Sequence, residues 1–578
     1  MNNQTGNHTV SPKTPYAFVP LSERVFFPNW SGRISHDVPF SDGICGTIRI
    51  RMTARTPVSV KDSTGDFCNV QGRYFIPGSS IKGAVRNVLS EMSFSKIGHV
   101  LDSTYGLRNV NDSEYRKNMH NIKCGWMCKE EDGVKIYSCG EPGRVSFETI
   151  CKKFGKNGGY LRGRLAKDKY RFLLGDEMKF DRLRGKFDRV MDKGGSKDNR
   201  KKYRFSDSGK DGTIVLTGQI NGSKKYDFVF IEPASPSIIP VTKASYEAFC
   251  SIHSNSEDFS SGDKPFWKPR LDSGQKIPVF FKLNDDGSIH SIGLSYMYKY
   301  PFKHSVSDNL PPDHKSRRPD LSECIFGYTG DDQSVEALKG RVQFGHAFTG
   351  FAGRPDSETV TLSSPRSSFY PFYLQGGVDW NRDNARIAGF KRYPVRGKVN
   401  RDGNRQLNNS RVNSTLSLLP ADTVFEGTIS FHNLRPIELG ALLSALTFHG
   451  NERSCYHSIG GGKPLGYGKM SVSVVSLDGK TVSGDNIGSS DLQRFMAGYE
   501  DCMDVFCNKV IQKPWLESDQ MVQLYLMARG IPDDKAWAFE YMPLQDFRII
   551  KNGHKALWPF SRRIGSGITS VPSIKAKR

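Results

Sequence analysis

The sequence has no long apolar run and none of the usual marks of a secreted chain. LGALLSALTF (439–448) is among its longest apolar stretches, whereas a membrane-spanning helix needs about 20 mainly apolar residues. The start, MNNQTGNHTV, lacks the basic residues and apolar segment of a signal peptide. The 11 cysteines are scattered over 578 residues, unlike a disulfide framework. We therefore expect a soluble, cytoplasmic protein with reduced thiols and no membrane partner.

Acidic residues are in the minority. Asp and Glu number 60 against 82 Lys and Arg, which gives a net charge of +22 and a pI near 9.4. Such a chain favours a polyanionic partner, because its cations release counterions from phosphates. Residues 151–210 alone hold 20 Lys or Arg against 8 acidic residues, with aromatic residues between them. This segment predicts either a surface that contacts RNA or a solvated loop.

The chain also lacks a nucleotide-hydrolysis motif. The segment IGGGKPLGYGKM (459–470) is rich in glycine, but Pro464 stands where a Walker A motif needs Ser or Thr, and His457 replaces the first glycine. Glycine allows unusual backbone angles and close approach of another backbone, at an entropic cost. The segment therefore predicts a turn or a ligand-facing loop.

The spacing of the apolar residues predicts strands in some segments of the chain and helices in others. The pattern of residues 43–60 predicts a half-buried strand. The segment 75–92 predicts a helix with an apolar face, and Ser79 and Ser80 are its candidate N-cap residues. A second strand and helix follow at 423–434 and from Pro436, then a closing strand at 469–477. With a strand pair at 325–348 between them, this order predicts an α+β, ferredoxin-like core of the RNA-recognition type.

Long segments separate the parts of this predicted core. We predict four regions: an N-terminal segment with the first half of the core (1–95), a large basic insertion (96–320), the second half of the core with a loop-rich excursion at 350–420 (321–480), and a helical C-terminal extension with a basic, frayed tail (481–578). Neither the insertion nor the excursion reads as part of the core.

Three segments occur in a specific order: IPGSSIKGAVRN at 76–87, FG and GRVQF within 326–344, and GGGKPLGYG at 460–468. Together they resemble the RAMP superfamily, the ferredoxin-like RNA-binding subunits of CRISPR effector complexes. The segments SHDVPF (35–40), YGLRNV (105–110) and KPLGYG look like a large, insertion-bearing backbone subunit of the type III group. The resemblance implies guide RNA, target RNA and other effector subunits as partners in antiviral defence.

The resemblance also implies which residues contact the guide. The helix start and the glycine-rich loop would lie along the guide backbone. The residues assigned to RNA binding are Gly78, Ser79, Ser80, Lys82, Arg86, Gly460, Gly461, Gly462, Lys463 and Tyr467.

Two kinds of RNA cleavage stay open at this point. Some relatives cut target RNA with an acidic residue between the first strand and first helix and a divalent metal, which here makes Asp62 and Asp66 candidates with Mg²⁺. The same loop reads equally as a plain turn. The alternative is metal-independent processing of guide precursors, in which His457 would act as an acid or base. Without cleavage no cofactor is expected.

His120, Cys124, Cys128 and Cys139 lie within twenty residues of each other and raise the question of a zinc site. The paired CxxC spacing of structural zinc sites is absent. The same segment also reads as a β-hairpin that turns at Asp132 and Gly133.

Overall fold

The computed structural model describes residues 10–98, 100, 104–108, 110, 113–175, 180–190, 201–218, 224–254, 267–330, 337–362, 369–377, 380–401, 413–553 and 555–575. The chain divides into two compact units: residues 1–101 with 307–578 form unit 1, and residues 102–306 form unit 2. Among the described helices, none combines the length and apolar character that crossing a bilayer requires.

The helices and strands follow one another along the chain. The first part of unit 1 contains β1 (Ala17–Val19), β2 (Ile44–Ala54), β3 (Asn69–Val70), β4 (Arg73–Ile76) and α1 (Gly78–Met92). Unit 2 contains β5 (Gly106–Leu107), α2 (Ser113–Asn118), β6 (Lys123–Glu130), β7 (Gly133–Gly140), β8 (Gly143–Ser146), α3 (Phe147–Lys153), α4 (Ala166–Leu174), β9 (Arg184–Val190), β10 (Lys202–Phe205), β11 (Lys210–Val215), β12 (Tyr226–Ile231), β13 (Ile238–Val241), α5 (Lys243–Ser254), α6 (Trp267–Asp272), β14 (Ile277–Leu283), β15 (Ile289–Gly293) and β16 (Tyr300–Pro301). The second part of unit 1 contains α7 (Leu321–Phe326), β17 (Gly327–Tyr328), β18 (Leu338–Lys339), β19 (Val342–Phe344), β20 (Ala347–Thr349), β21 (Asp356–Thr361), β22 (Phe390–Arg392), β23 (Asn413–Leu418), β24 (Val424–Leu434), α8 (Pro436–Thr447), β25 (His457–Ser458), β26 (Lys469–Thr481), β27 (Asn486–Gly488), α9 (Leu492–Ile511), α10 (Asp519–Arg529), α11 (Leu544–Asn552) and α12 (Phe560–Ile564).

The central sheet of unit 1 runs in the order β25-β26-β2-β24-β20-β4-β3, and neighbouring strands are antiparallel. β19 also pairs with β24. The long strand β2 therefore lies between the long strands β26 and β24. Ile48 of β2 faces Ile429 and Leu477 across both ladders, and all three side chains are buried.

Helix α1 follows β4 and helix α8 follows β24, and the two helices pack together. The predicted apolar face of α1 is buried, and its members are Ile81, Val85, Val88, Leu89 and Met92. Pro436 is the first residue of α8, as the sequence predicts. The burial of these faces follows from the periodicity of their apolar residues, because residues three and four apart lie on one side of a helix.

The C-terminal tail differs from the prediction of a frayed end. Phe560 of α12 is fully buried, and Val571 and Ile574 are buried as well. Arg563 is also buried, and its guanidinium donates hydrogen bonds to the carbonyl oxygens of Tyr16, Thr14 and Ala538. These bonds connect the two ends of unit 1, which a local reading of a basic, turn-rich segment does not reveal.

Unit 2 is folded rather than loop-like. Strands β8 to β12 close into a five-stranded barrel in the order β10-β8-β12-β11-β9, and β13-β7-β6-β14-β15 form an open sheet. The barrel encloses its own hydrophobic core, which includes Val145, Phe187, Ile214 and Val229. The segment predicted as an insertion at 96–320 therefore contains a hydrophobic core of its own.

A buried ion pair fixes α4 to the barrel. Lys169 Nζ donates to Asp227 Oδ2 at 2.9 Å and to Thr217 O at 2.9 Å, and both charged side chains are fully buried. Lys224 also pairs with Asp227. Two cations thus pair with one buried carboxylate, so removal of Asp227 would leave Lys169 buried without a counter-charge.

Several aromatic residues of the basic segment 151–210 belong to the barrel rather than to a stacking surface. Tyr170 is buried, and its hydroxyl accepts from the backbone N–H of Leu216 at 3.0 Å. Phe172 stacks on Tyr160 with ring centres 3.9 Å apart. Tyr203 packs against the barrel core. The side chain of Phe180 lies outside the described part of the chain.

Candidate nucleic-acid interface

A groove opens where three distant segments of unit 1 meet. The start of α1, the strand β22 and the loop after β25 line a cavity of about 330 Å³, which we call the α1 groove. Its lining residues are Ser79, Ser80, Gly83, Ala84, Asn87, Lys391, Arg392, Tyr393, His457, Ser458, Ile459, Gly460 and Lys463. The two segments that the sequence assigned to RNA, the helix start and the glycine-rich loop, therefore face one another.

The start of α1 has no side-chain cap. Pro77 is its N-cap residue, so Ser79 and Ser80 lie within the first turn instead of capping it as predicted. The N–H of Gly78 donates to His346 Nδ1 at 3.1 Å, and a Cβ atom on Gly78 would lie 2.0 Å from the carbonyl oxygen of Phe344. Gly78 thus joins α1 to β19. The two serines remain beside the positive end of the helix dipole, which favours an anion.

The glycine-rich loop packs against the segment that follows β2. Gly461 N–H donates to Ser59 O at 2.8 Å, and Gly468 N–H donates to Pro57 O at 2.9 Å. Gly460 has a φ of +87°, and a Cβ atom there would lie 2.1 Å from Ser59 O. Gly460 is therefore required because another segment of the protein's own backbone approaches it closely. This requirement exists whether or not a ligand binds the loop.

Two lysines bring positive charge to the groove. Lys391 Nζ lies 4.3 Å from the centre of the Tyr16 ring and donates to the Tyr373 hydroxyl at 2.9 Å. Burial lowers the pKa of Lys391 to about 8. Burial, followed by the nearby charge of Arg392, also lowers the pKa of Lys463. Both ammonium groups thus lose hydration, and an anion in the groove would favour their charged forms.

Arg392 anchors the groove to the back of α1. Its Nη1 donates to Glu91 Oε2 at 2.9 Å, and Glu91 is fully buried. Burial raises the pKa of Glu91 to about 7, although the Arg392 charge acts in the opposite direction. Arg392 is therefore partly neutralised by a neighbour, whereas Lys463 has no carboxylate partner among the residues that the structure describes.

Six of the ten residues assigned to RNA contact are not among the groove-lining residues, and they are Gly78, Lys82, Arg86, Gly461, Gly462 and Tyr467. Lys82 Nζ donates to Phe326 O at 3.3 Å on another face of α1, and Arg86 is one turn further along that face. Tyr467 is buried against Leu416 and other apolar side chains, so its ring is not available for stacking on a base. The i, i+4 spacing predicts that Lys82 and Arg86 lie on the same face of α1. It does not indicate which face of this helix lines the groove.

His457 lies in the groove wall but is buried. Its Nε2 is 3.0 Å from the carbonyl oxygen of Leu446, and its Nδ1 has no hydrogen-bond partner in the described part of the chain. Burial lowers its pKa to about 4. A neutral, inaccessible imidazole with so low a pKa is a poor general base or acid near neutral pH, which argues against the predicted catalytic role.

Asp62 and Asp66 stand on an exposed turn between β2 and α1. The N–H of Asp62 donates to Asp66 O at 2.9 Å, and Asp62 Oδ1 accepts from the N–H and hydroxyl of Thr64 at 2.8 and 2.6 Å. These bonds lower the pKa of Asp62, which is therefore ionised at neutral pH. The loop is thus a turn, as one alternative predicted, and it leaves the second carboxylate oxygen of Asp62 outside these bonds.

The cysteines of the possible zinc site lie on a β-hairpin. β6 and β7 pair around a turn that precedes Gly133, as the hairpin alternative predicted. Cys124 and Cys128 are both on β6, and four residues of strand span about 13 Å. They therefore cannot both bind one zinc ion, since two sulfur ligands of one zinc each lie about 2.3 Å from it. Among the described residues no group of three or more potential ligands, His120 and Cys139 included, is close enough to hold a metal ion.

The sequence did not indicate Lys391, Arg392 or Tyr393 as part of the site. They lie in the region 350–420, which was read as a loop-rich excursion, but β22 pairs with β1 and is held in place by that ladder. The signal that could have drawn attention to them is local, since two adjacent cations precede a tyrosine.

Comparisons with known proteins give one family match. The family model of the RAMP superfamily matches residues 51–279, which is less than half of the chain. No curated protein matches the chain.

Two solved structures are similar to parts of this chain. The crystal structure of Csc2 from Thermofilum pendens shares 15% identity and a TM-score of 0.15, with 40% of this chain and 58% of that chain covered. The present chain thus spans less than two thirds of that Csc2 chain. A chain of a CRISPR RNA-guided surveillance complex, in a pre-nicking state, shares 11% identity and a TM-score of 0.20, with 74% of this chain and 78% of that chain covered.

Proposed function

We propose that the chain is an RNA-binding subunit of a type III CRISPR effector complex, acting in the cytoplasm, and that it holds guide RNA in the α1 groove. The observation that carries the proposal is the convergence of α1 and the glycine-rich loop on one cavity with Lys391 and Lys463. The match of residues 51–279 to the RAMP superfamily supports it. The strand order of the unit 1 sheet supports a ferredoxin-like RAMP core.

The groove suits the sugar-phosphate backbone rather than the base edges. Lysine ammonium groups, serine hydroxyls and a helix start all recognise phosphate oxygens irrespective of sequence. The bases of the guide would stay free to pair with target RNA, which supplies the sequence specificity. Other effector subunits would bind on either side of this one along the guide.

Binding of a labelled single-stranded RNA, measured by fluorescence anisotropy over a range of salt concentrations, tests this proposal. Lys463→Gln and Lys391→Gln should each weaken binding roughly tenfold, because each removes a charge-assisted contact. Each should also reduce the slope of log affinity against log salt by about one. Lys480→Gln is the matched control, since Lys480 is an exposed lysine on β26 outside the groove lining.

Equal, small effects of all three substitutions would contradict the proposal, because they would show that RNA responds to net charge alone. Lys82→Gln adds a second comparison. The sequence assigned Lys82 to the guide, whereas its Nζ donates to Phe326 O instead of lining the groove. We expect it to behave like the control.

A second candidate activity is Mg²⁺-dependent cleavage of target RNA at Asp62 or Asp66. The observation in its favour is the exposed turn that carries both carboxylates. Lys61 Nζ donates to Thr415 O at 2.6 Å, which holds this turn beside the β21–β23 ladder. A single carboxylate can recruit Mg²⁺ that keeps most of its water ligands. Cleavage that disappears with EDTA and with Asp62→Ala or Asp66→Ala would support this activity, and cleavage that persists in all three would refute it.

The alternative activity, metal-independent processing of guide precursors at His457, is less compatible with the geometry described above. It predicts cutting that survives EDTA and stops with His457→Ala. Loss of cutting in that variant counts only if thermal unfolding shows that the variant is folded, since His457 is buried.

A further inference from the structure

Unit 2 contains a second cavity, of about 860 Å³, between its barrel and its open sheet. Arg184, Thr213 and Glu232 line it from the barrel side, and Trp126, Tyr137 and Lys276 line it from the sheet side. Its volume is in the range of small-molecule and cofactor sites. Its lining residues all belong to unit 2, whereas those of the α1 groove belong to unit 1.

Two aromatic residues form one wall of this cavity on its sheet side. Trp126 and Tyr137 are opposite each other in the β6–β7 ladder, and both are half-buried. Trp126 packs against Phe230 in an edge-to-face arrangement with ring centres 5.8 Å apart, which fixes its orientation. Rings that are held by the protein and still partly exposed are suited to stacking against a planar ligand.

The charges of the cavity favour an anion. The single carboxylate among its lining residues, Glu232, already accepts from Arg184 Nη2 at 2.6 Å and from the Thr213 hydroxyl at 3.4 Å. Lys276 Nζ lies 3.9 Å from the centre of the Tyr137 ring and has no carboxylate partner in the part of the chain that the structure describes. Arg270 adds a further cation to the lining. The cavity therefore carries excess positive charge beside an aromatic wall.

The barrel has the topology of a fold that binds nucleic acid in other proteins. Its one parallel pair, β8 with β10, and its helices between β8 and β9 have the positions that they would have in a circularly permuted OB-fold. OB-folds bind oligonucleotides on the face of their second and third strands, which correspond here to β12 and β8, whereas the cavity is lined from β9 and β11. This likeness is one of architecture, and the chemistry of the lining residues carries the argument.

We propose that this cavity binds a nucleotide, with the base against Trp126 and Tyr137 and a phosphate at Lys276 and Arg270. The nucleotide is free or part of an RNA strand. Because the ammonium group of Lys276 covers Tyr137 in the empty cavity, binding moves it from the ring to the phosphate. The site is separate from the α1 groove, so it does not depend on guide binding there.

The test uses the full chain with Lys391→Gln and Lys463→Gln as background, so that the groove contributes little. Binding of UMP, AMP and an oligouridine of about eight nucleotides, within the range of OB-fold sites, is measured by calorimetry. Lys276→Gln in that background should weaken binding roughly tenfold, as expected for a lost charge-assisted contact. Lys243→Gln, an exposed lysine of unit 2 whose side chain is 90% exposed, is the matched control.

Photocrosslinking with a 4-thiouridine form of the oligonucleotide should modify the peptides that contain Trp126 or Tyr137. Binding of a mononucleotide (UMP or AMP) and of the oligouridine with the same sensitivity to Lys276→Gln indicates that a free nucleotide is a sufficient ligand, and binding of the oligouridine alone indicates a strand. Both outcomes support the site. Absence of binding, equal effects of Lys276→Gln and Lys243→Gln, crosslinks confined to unit 1, or preference for an acidic peptide with an aromatic residue would overturn it.

Discussion

The proposed binding of RNA in the α1 groove should depend on pH through Lys391, and the dependence can be worked out from the surroundings of that residue. Burial beside Tyr16 holds its pKa at about 8 in the free protein. A bound phosphate would return the pKa towards the ordinary lysine value near 10.5. The bound state therefore holds more protons than the free state above pH 8, and affinity decreases as the pH rises through that value.

The size of this effect follows from the fraction of charged Lys391. With a pKa of about 8, the free protein keeps most of this charge at pH 7 and only about a tenth of it at pH 9. If the bound lysine stays charged throughout, affinity should decrease about tenfold between these two pH values. The neighbouring tyrosines do not compete, since burial raises the pKa of Tyr16 to about 12 and also raises that of Tyr393.

Anisotropy titrations at pH 7 and pH 9 measure this change, with Lys391→Arg as the decisive variant. Arginine keeps its charge over the whole range, so the variant should bind RNA at pH 7 and lose most of the pH dependence. Any remaining pH dependence of the affinity would come from Lys463, because burial also lowers the pKa of that residue. A wild-type affinity that is the same at both pH values, or an arginine variant that keeps the full dependence, would refute the placement of a phosphate beside Lys391.

Three further predictions concern stability and cleavage. Asp227→Leu should lower the free energy of unfolding of unit 2 by about 3–5 kcal/mol in urea denaturation, because it leaves Lys169 buried without a counter-charge, and the double variant Asp227→Leu with Lys169→Met should recover part of that loss. Gly460→Ala should lower the free energy of unfolding by about 1–3 kcal/mol, because Gly460 has a positive φ and a Cβ atom there would contact Ser59 O. Gly461→Ala should change the free energy of unfolding by no more than about 0.5 kcal/mol. Equal changes for the two variants would contradict the geometry of the loop. Asp62→Asn should abolish any Mg²⁺-dependent cleavage of target RNA and leave guide binding unchanged, and a loss of binding instead would assign the carboxylate to the fold of the turn.

The core strands and helices of unit 1 could be predicted from the sequence, because the residue patterns that indicate them are local. β2, β24 and β26 carry alternating or continuous apolar residues, and α1 has a clear apolar face. The order of these elements restricts the topologies that a sheet can adopt. The pairing of β2 with both β24 and β26 spans hundreds of residues, yet the pattern alone indicated which elements take part.

The insertion shows where such reasoning fails. The basic residues of 151–210 dominate its composition, but the few apolar and aromatic residues between them close a barrel around Phe187 and Ile214. Short strands leave weak periodic signals, and the aromatic residues serve the barrel core before they serve any ligand. Composition left two interpretations of this segment open, a surface that contacts RNA or a solvated loop, and did not indicate that burial of a minority of side chains produces a fold.

The sequence by itself determined the charge of the protein, the two segments suited to phosphate and the order of the core elements, because all three depend on residue type and local spacing. Only the tertiary structure decided which side chains of those segments face the groove. In the tertiary structure Lys82 and Arg86 lie outside the groove lining, and Tyr467 and His457 are buried. Strand β22 places Lys391 in the groove lining. The physical reason is that exposure depends on packing between segments far apart in the chain, which local spacing does not encode.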